Sequence, residues 1–386
     1  MKKKIVILGS TGSVGKNTIN IIRKDKKNFD IKILSTNKNV VDLIKQAKEF
    51  KVKNLIINDF DKFLKAKNTY KNFNFYNSFS IIDKIIKSKN IFYSMIAVVG
   101  LDGLDPSLRL IKVSKNIAIV NKESLICGWN LIKKELKKFN TNFIPIDSEH
   151  FSIFSLIKDK KIDSIDKVYL TASGGPFLKF KKNQLRNIKK KEALKHPNWK
   201  MGKKISIDSS TMMNKVFEVI EAKHIFNLEY NKISILTHPK SYVHAIVKFN
   251  NGLSKILIHE PNMVIPIYNS IYSLENTKFH SKNLNFKILN NLEFDKVNTK
   301  KFPLVNILNN LPEYNSLYET ALVIINDFFV NKFLLNKISY MKMIDLINKY
   351  ANKRFILELR KINVKNVKNI YEIRDYLSFK LNTLGI

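Results

Sequence analysis

The chain opens with "KKIVILGSTGSVGKNTINIIRK", in which an unbroken apolar run gives way to spaced glycines and then to apolar positions at helical intervals. This pattern predicts a buried strand, a tight turn and an amphipathic helix. The alternation then repeats. "FDIKILST" predicts a second strand, "NVVDLIKQAKEF" a helix, and "VKNLIIND" a third strand. "IFYSMIAVVG" is another apolar run closed by glycine and followed by the helical "LDPSLRLIKVS"; "NIAIVNKESLI" and "TNFIPIDSEH" are two further strand-to-loop passages. Strands alternating with helices predict a doubly wound parallel sheet over roughly the first 150 residues. After that the pattern changes. "IDKVYLTASGGPF", "NKISILTHPKSYVHAIVKFN" and "LSKILIHEPN" read as longer strands, some of them antiparallel. "HSKNLNFKILNNLEFDKVNTKKF" is polar and weakly patterned and reads as linker, whereas "YETALVIINDFFVNKFLL" and "SYMKMIDLINKY" carry helical spacing. The expected fold class is therefore α/β. A Rossmann-like domain over 1–147 precedes a central α/β domain over 148–275, a linker over 276–302 and a small C-terminal helical domain over 303–386.

Composition narrows the possibilities. With 386 residues, 45% of them apolar, the chain can build more than one core and is not disordered. Its one cysteine, Cys127, excludes a disulfide framework and a cysteine zinc site. The apolar run after the N-terminal lysines is too short for a secretory signal, and no run reaches the ~20 residues needed to cross a bilayer. A cytoplasmic protein without a membrane partner is expected. The net charge of +36 invites a nucleic-acid reading. However, lysine is spread through strands, helices and loops alike and far outnumbers arginine, so no clustered basic face is predicted and no nucleic-acid partner is expected. Such a field would still welcome a small phosphorylated ligand.

Gly9, Gly12 and Gly15 lie between the first strand and the first helix. That context suits a dinucleotide pyrophosphate, which needs backbone N–H groups at a helix N-terminus and no side chains in the way. Thr11 and Ser13 add hydroxyl donors. The second strand ends in Ser35, Thr36, Asn37, Lys38 and Asn39, with no acid to repel a 2′-phosphate, so NADP is favoured over NAD. "IVNKESLI" places Asn121, Lys122 and Glu123 at the carboxyl end of an apolar strand, where ligands sit in open α/β sheets. "TASGGPF" sets Ser173 before two glycines; "HPNWKMG" brings together His196, Trp199 and Met201, with Trp199 either a packed anchor or part of a lid; "SIDSSTMMNKVFEVIEA" offers Ser209, Asn214, Lys215 and Glu218. Ser, Asn, Lys and His at this density suit a phosphate. No histidine pair has H-E-x-x-H spacing. In "PIDSEH", Asp147 and Glu149 stand out from the lysine background, either as surface charges or as ligands for something positive.

"GSTGSVG", "NKESL", "PIDSEH", "SGGPF", "HPNWKMGKKISIDSSTMMNK" and "HPKSYVHAIVKF", in this order, resemble the 1-deoxy-D-xylulose-5-phosphate reductoisomerase family. The resemblance runs from residue 5 to about 270 and weakly into the tail. It implies conversion of 1-deoxyxylulose 5-phosphate to 2-C-methylerythritol 4-phosphate on the non-mevalonate route to isoprenoids. It also implies NADPH and a divalent cation (Mg²⁺, Mn²⁺ or Co²⁺) as cofactors and a homodimer as the assembly. By the same resemblance Asp147, Glu149 and Glu218 match the metal-binding carboxylates. If 147 to 149 is extended, residues i and i+2 point the same way and can converge on one ion. Ser148, Ser173, His196, Ser209, Asn214 and Lys215 match the sugar-phosphate contacts, Lys122 the lysine on the substrate oxygens, and Trp199 the indole that closes over them. Thr11, Gly12, Ser13, Val14, Asn37, Lys38, Asn39, Asn121, Glu123 and Gly202 match the NADPH contacts. The chain departs from the family pattern at Asn37 and Val216, where glycine is usual, and around Met263 and Val264, which lack the usual acid and arginine. A dehydrogenase with a cysteine nucleophile is disfavoured, because Cys127 in "SLICGW" reads as packing.

Overall fold

The computed structural model describes residues 2–272 and 278–384, with Lys182 by its backbone alone. Residues 1, 273–277, 385 and 386, which include part of the expected linker, lie outside the described residues. The chain forms two compact units. One gathers Met1–Leu125, Asn130–Asp147 and Met263–His280; the other gathers Ile126–Trp129, Ser148–Asn262 and Ser281–Ile386.

In the first unit the apolar runs become β1 (Lys3–Leu8), β2 (Phe29–Thr36), β3 (Asn54–Ile57), β4 (Asn74–Tyr76), β5 (Ile91–Ile96), β6 (Ser114–Ile119) and β7 (Asn142–Phe143). They form one sheet in the order β4-β3-β2-β1-β5-β6-β7, and every pairing is parallel. A parallel sheet is covered on both faces, which is why these strands are continuous apolar runs rather than alternating ones. Val6, Ile7 and Leu8 are fully buried, as are Leu55 and Ile56. β1 lies between β2 and β5, so the winding reverses at its carboxyl end, which is where open α/β sheets place their ligands. The helix Val264–Tyr272 falls within the expected central domain, yet it packs in this unit. The Tyr272 hydroxyl bonds to Asp25 at 2.8 Å, Ser270 bonds the Tyr93 hydroxyl at 2.7 Å, and the Tyr272 ring meets Phe29 edge-on.

The second unit is built on β8 (Ile165–Ala172), β9 (Ile233–Thr237), β10 (Val243–Phe249), β11 (Ser254–Ile258) and β12 (Asp295–Lys296), in the order β11-β10-β8-β9-β12. Only β8 and β9 run parallel; the remaining pairs are antiparallel. The helices Ser148–Ile157 and Met213–Phe226 supply Ile153, Leu156, Val219 and Phe226 to a core shared with Val168, Leu170 and Ala245 of the sheet. Within the segment read as linker, β12 pairs with β9 and Phe286–Leu289 forms a short helix. A backbone ladder needs no apolar side chains, so the polar sequence did not announce it. The tail forms the helices Leu317–Leu334, Tyr340–Ala351 and Val367–Asn382. The first of these starts at a capping box between Ser316 and Glu319. Among the described residues no helix is long and apolar enough to cross a membrane.

Candidate active site

The glycine turn in the first unit is fixed by packing at two of its three glycines. Gly9 has φ +75, and a Cβ there would sit 2.3 Å from the Ala97 carbonyl oxygen; a Cβ on Gly15 would sit 2.2 Å from the Gly9 carbonyl oxygen. Gly12 has room, and caps the helix Ser13–Lys24, whose first turn holds no acid. The end of β2 clamps the turn. Gly9 N–H donates to the Ser35 hydroxyl at 2.8 Å, Ser10 N–H donates to the Ser35 carbonyl at 2.9 Å, and the Gln46 amide bonds the Ser10 carbonyl at 3.0 Å. Ser35 and Gln46 were not among the expected site residues. Thr11 and Thr36 share a hydroxyl hydrogen bond of 2.6 Å. Asn37, Lys38 and Asn39 are exposed. Lys38 lies 3.5 Å from Asp59, and Asn39 caps the helix Val40–Phe50 by accepting from Asp42 N–H.

Asn121 is buried as the residue that caps the helix Lys122–Phe139, and its amide bonds the Gly100 carbonyl at 2.6 Å and the Ser124 hydroxyl at 2.5 Å. Lys122 and Glu123 are also buried, and the Lys122 ammonium pairs with Asp147. The chain crosses from the first unit to the second at the Asp147–Ser148 bond. Glu149 is not on an extended segment. It sits in the first turn of the helix Ser148–Ile157, one residue past its start, and accepts from the Ser148 hydroxyl at 2.5 Å. Even so, Asp147, Glu149 and Glu218 each offer a carboxylate oxygen, and these oxygens lie within 4.8 Å of one another. Glu218 is 1% exposed, on the helix Met213–Phe226. Its carboxylate accepts from the Asn214 amide at 2.5 Å and pairs with the Lys215 ammonium, which also reaches Glu149 at 3.0 Å. His150, not among the expected site residues, is fully buried and bonds the Glu218 carbonyl oxygen through Nε2 at 2.8 Å. Its place directly after Glu149 was the one available signal.

The remaining polar loops also meet in the second unit. The Ser173 hydroxyl is 2.9 Å from His196 Nε2 and accepts from Gly175 N–H at 3.1 Å. His196 Nδ1 accepts two backbone N–H groups, from Asn198 at 3.1 Å and Trp199 at 2.9 Å. Nδ1 therefore carries no proton, and Nε2–H donates to Ser173. Burial, with the Lys215 ammonium as the second cause, pushes the His196 pKa down to about 4. Because the Ser173 oxygen accepts from two donors, its own proton is left to point at an anion. The half-buried Trp199 ring packs edge-on against His244 at 6.0 Å. Met201 is half-buried two residues on, and Gly202 caps the helix Lys203–Ser210. Ser209 is half-buried between the buried Asp208 and Ser210. Cys127 is fully buried, as a packing residue should be.

The family model for 1-deoxy-D-xylulose 5-phosphate reductoisomerase matches residues 5–128, its C-terminal domain model matches 143–226, and a DXP reductoisomerase C-terminal domain model matches 258–377. The chain is 52% identical to the 1-deoxy-D-xylulose 5-phosphate reductoisomerase of Pelagibacter ubique (strain HTCC1062), over 100% of both chains. It is 36% identical to the enzyme of that name from Clostridium novyi (strain NT), covering 98% of this chain and 100% of the relative. Among solved structures, the Zymomonas mobilis reductoisomerase in complex with NADPH matches with a TM-score of 0.86 at 26% identity, covering 97% of each chain. A DOX-P reductoisomerase in complex with NADPH, fosmidomycin and magnesium matches with a TM-score of 0.90 at 29% identity, covering 99% of each.

Proposed function

The chain belongs to the 1-deoxy-D-xylulose 5-phosphate reductoisomerase family, and from that premise we propose how its own residues divide the work. The reaction converts 1-deoxy-D-xylulose 5-phosphate to 2-C-methyl-D-erythritol 4-phosphate in the synthesis of isoprenoid precursors, with NADPH as reductant and a divalent metal ion. It rearranges the carbon skeleton and then reduces the aldehyde so formed.

The donor set fits such an ion. Asp147, Glu149 and Glu218 offer hard oxygens close enough for one divalent cation, and here two lysine ammoniums, Lys122 and Lys215, supply the positive charge that three carboxylates need. When bound, the metal supplies Lewis acidity at the substrate's carbonyl and adjacent hydroxyl. Lys122, buried beside Asp147, donates to the same substrate oxygens. Ser173, Ser209, Asn214 and Lys215 hold the phosphate, Ser148 and His196 complete the sugar contacts, and His196 does so by fixing the direction of the Ser173 proton. Trp199 closes over the sugar and keeps water out. For NADPH, the N–H groups after Gly12 take the pyrophosphate alongside Thr11, Ser13 and Val14. Lys38 takes the 2′-phosphate between Asn37 and Asn39, and Asn121, Glu123 and Gly202 complete the contacts.

The domain roles follow the same reading: 1–147 binds NADPH and contributes Lys122 and Asp147, 148–275 supplies the other metal and sugar-phosphate contacts, and 303–386 supports them. A homodimer is part of the proposal. It is supported by β11, an edge strand with Ile256 exposed and Leu253 exposed just before its start. A cytoplasmic location is proposed with it.

The meeting of the three carboxylates carries this assignment. Its test is Glu218→Gln, assayed by NADPH oxidation with substrate over a metal titration and with EDTA. The substitution keeps the side chain's shape and removes a charge, so kcat should fall by about a hundredfold or more while NADPH affinity stays near wild type. A variant as active as wild type at limiting metal would reject Glu218 as a ligand.

A further inference from the structure

The two loops assigned above to the phosphate, "SGGPF" and "SIDSST", lie against each other. Gly175 has φ +66, and a Cβ there would come within 2.8 Å of the Ser209 carbonyl oxygen. Between Ser209 and Asn214 the chain turns from the helix Lys203–Ser210 into the helix Met213–Phe226 through Met212, whose φ of 64 is in the left-handed region. A methionine in that conformation is strained and stays there only if its surroundings hold it. The last carbonyls of a helix have no partner within the helix, so the turn also leaves backbone acceptors to be satisfied.

One side chain from the C-terminal helices meets both loops. The Tyr340 hydroxyl donates to the Ser210 carbonyl oxygen at 2.8 Å and lies 3.2 Å from the Ser210 hydroxyl. Its ring packs edge-on against Phe177 of "SGGPF", with centroids 5.3 Å apart, and is backed by Phe333 at 5.8 Å. Tyr340 and Phe177 are each 1% exposed and Ser210 is fully buried. Asp208, the other neighbour of Ser209, is held in turn by the Asn326 amide at 2.8 Å. Ser209 is thus the half-exposed residue between two pinned ones.

We infer that Tyr340 is a positioning residue for the substrate phosphate: it fixes the Ser210 carbonyl and the Phe177 ring together, and so sets the separation of Ser173 from Ser209, Asn214 and Lys215. Tyr340 touches no substrate atom. The inference rests on the reading that Ser173 and Ser209 bind the phosphate.

The test compares Tyr340→Phe, which keeps the ring and removes the hydroxyl, with wild type in the complete holoenzyme. Loss of a buried hydrogen bond to the turn should raise the KM for substrate and the inhibition constant for inorganic phosphate together, by about fivefold. The KM for NADPH should stay within about twofold of wild type, because no NADPH contact lies on either loop. Phe177→Leu keeps the hydroxyl, removes the ring contact and should give the same signature. Tyr318→Phe is the control, since Tyr318 is a fully buried tyrosine whose hydroxyl bonds the Ala351 carbonyl at 3.3 Å, away from both loops. It should lower the melting temperature without moving either constant. Unchanged constants in Tyr340→Phe, or an equal rise in Tyr318→Phe, would overturn the inference. Ser209→Ala separates it from the reading beneath: if Ser209→Ala leaves both constants unmoved, the phosphate assignment itself fails, whereas a rise there without one in Tyr340→Phe fails Tyr340 alone.

Discussion

His196 shows how much of this site depends on one proton that is absent. Its Nδ1 accepts two backbone N–H groups, and its pKa is pushed down to about 4, first by burial and then by the Lys215 ammonium. The folded state therefore binds fewer protons than the unfolded chain wherever the pH lies between the folded value and the ordinary histidine value of 6.5. Stability from this group is fully present above the ordinary value and is lost as the pH falls through the folded one. Melting temperatures measured from neutral pH downward should drop across that window, and His196→Asn should flatten the drop. An identical slope in the variant would mean that His196 is not the neutral anchor of the Trp199 loop. At this scale the sequence picked out three carboxylates that do cluster but misjudged the local geometry that brings two of them together. Asp147 and Glu149 were expected to converge because an extended chain points alternate residues the same way. They come together instead because Glu149 lies in the first turn of a helix.

Among the elements, the strand–turn–helix around the glycines makes the sharpest prediction, because its glycines do different work. Gly15 has no room for a side chain, whereas a Cβ on Gly12 would meet only the Gly9 carbonyl oxygen at 3.4 Å. Gly15→Ala should cost about 1–3 kcal/mol by overpacking and displace the helix, so both melting temperature and NADPH affinity fall. Gly12→Ala should keep the fold and weaken NADPH alone, since its side chain would intrude where the pyrophosphate approaches. Thermal melts and a cofactor titration on the pair check this, and equal melting temperatures would remove the packing argument. β1 and β2 were legible because buried parallel strands must be apolar throughout. The helix Phe60–Thr69 and β4 were not. That helix buries only Ala66, so lysine and asparagine fill the positions that would have shown its period. Tyr340 was illegible for another reason: it lies 130 residues from Ser210, and nothing local marks a tyrosine that will reach a distant carbonyl.

For the whole chain, a net charge of +36 is too large for its ion pairs to neutralise. Many of those pairs are exposed, such as Lys248 with Asp166 at 2.7 Å, and exposed pairs contribute little. The excess lysines must then repel one another in the compact state more than in the expanded one. Salt separates this from local neutralisation. At ~0.01 M the screening length is ~30 Å, so charges across the protein feel one another; at ~0.15 M it is ~8 Å and only neighbours do. Raising sodium chloride over that range should therefore raise the melting temperature by about 2 °C or more. The same screening weakens the pull of the field on anions, so the KM for the sugar phosphate should rise while kcat stays level. If the melting temperature stays flat or falls with salt, the lysines are paired locally and the charge carries no cost to folding. If it rises while KM does not move, the phosphate is held by Lys215 and its neighbours alone, and the lysine background contributes nothing to binding.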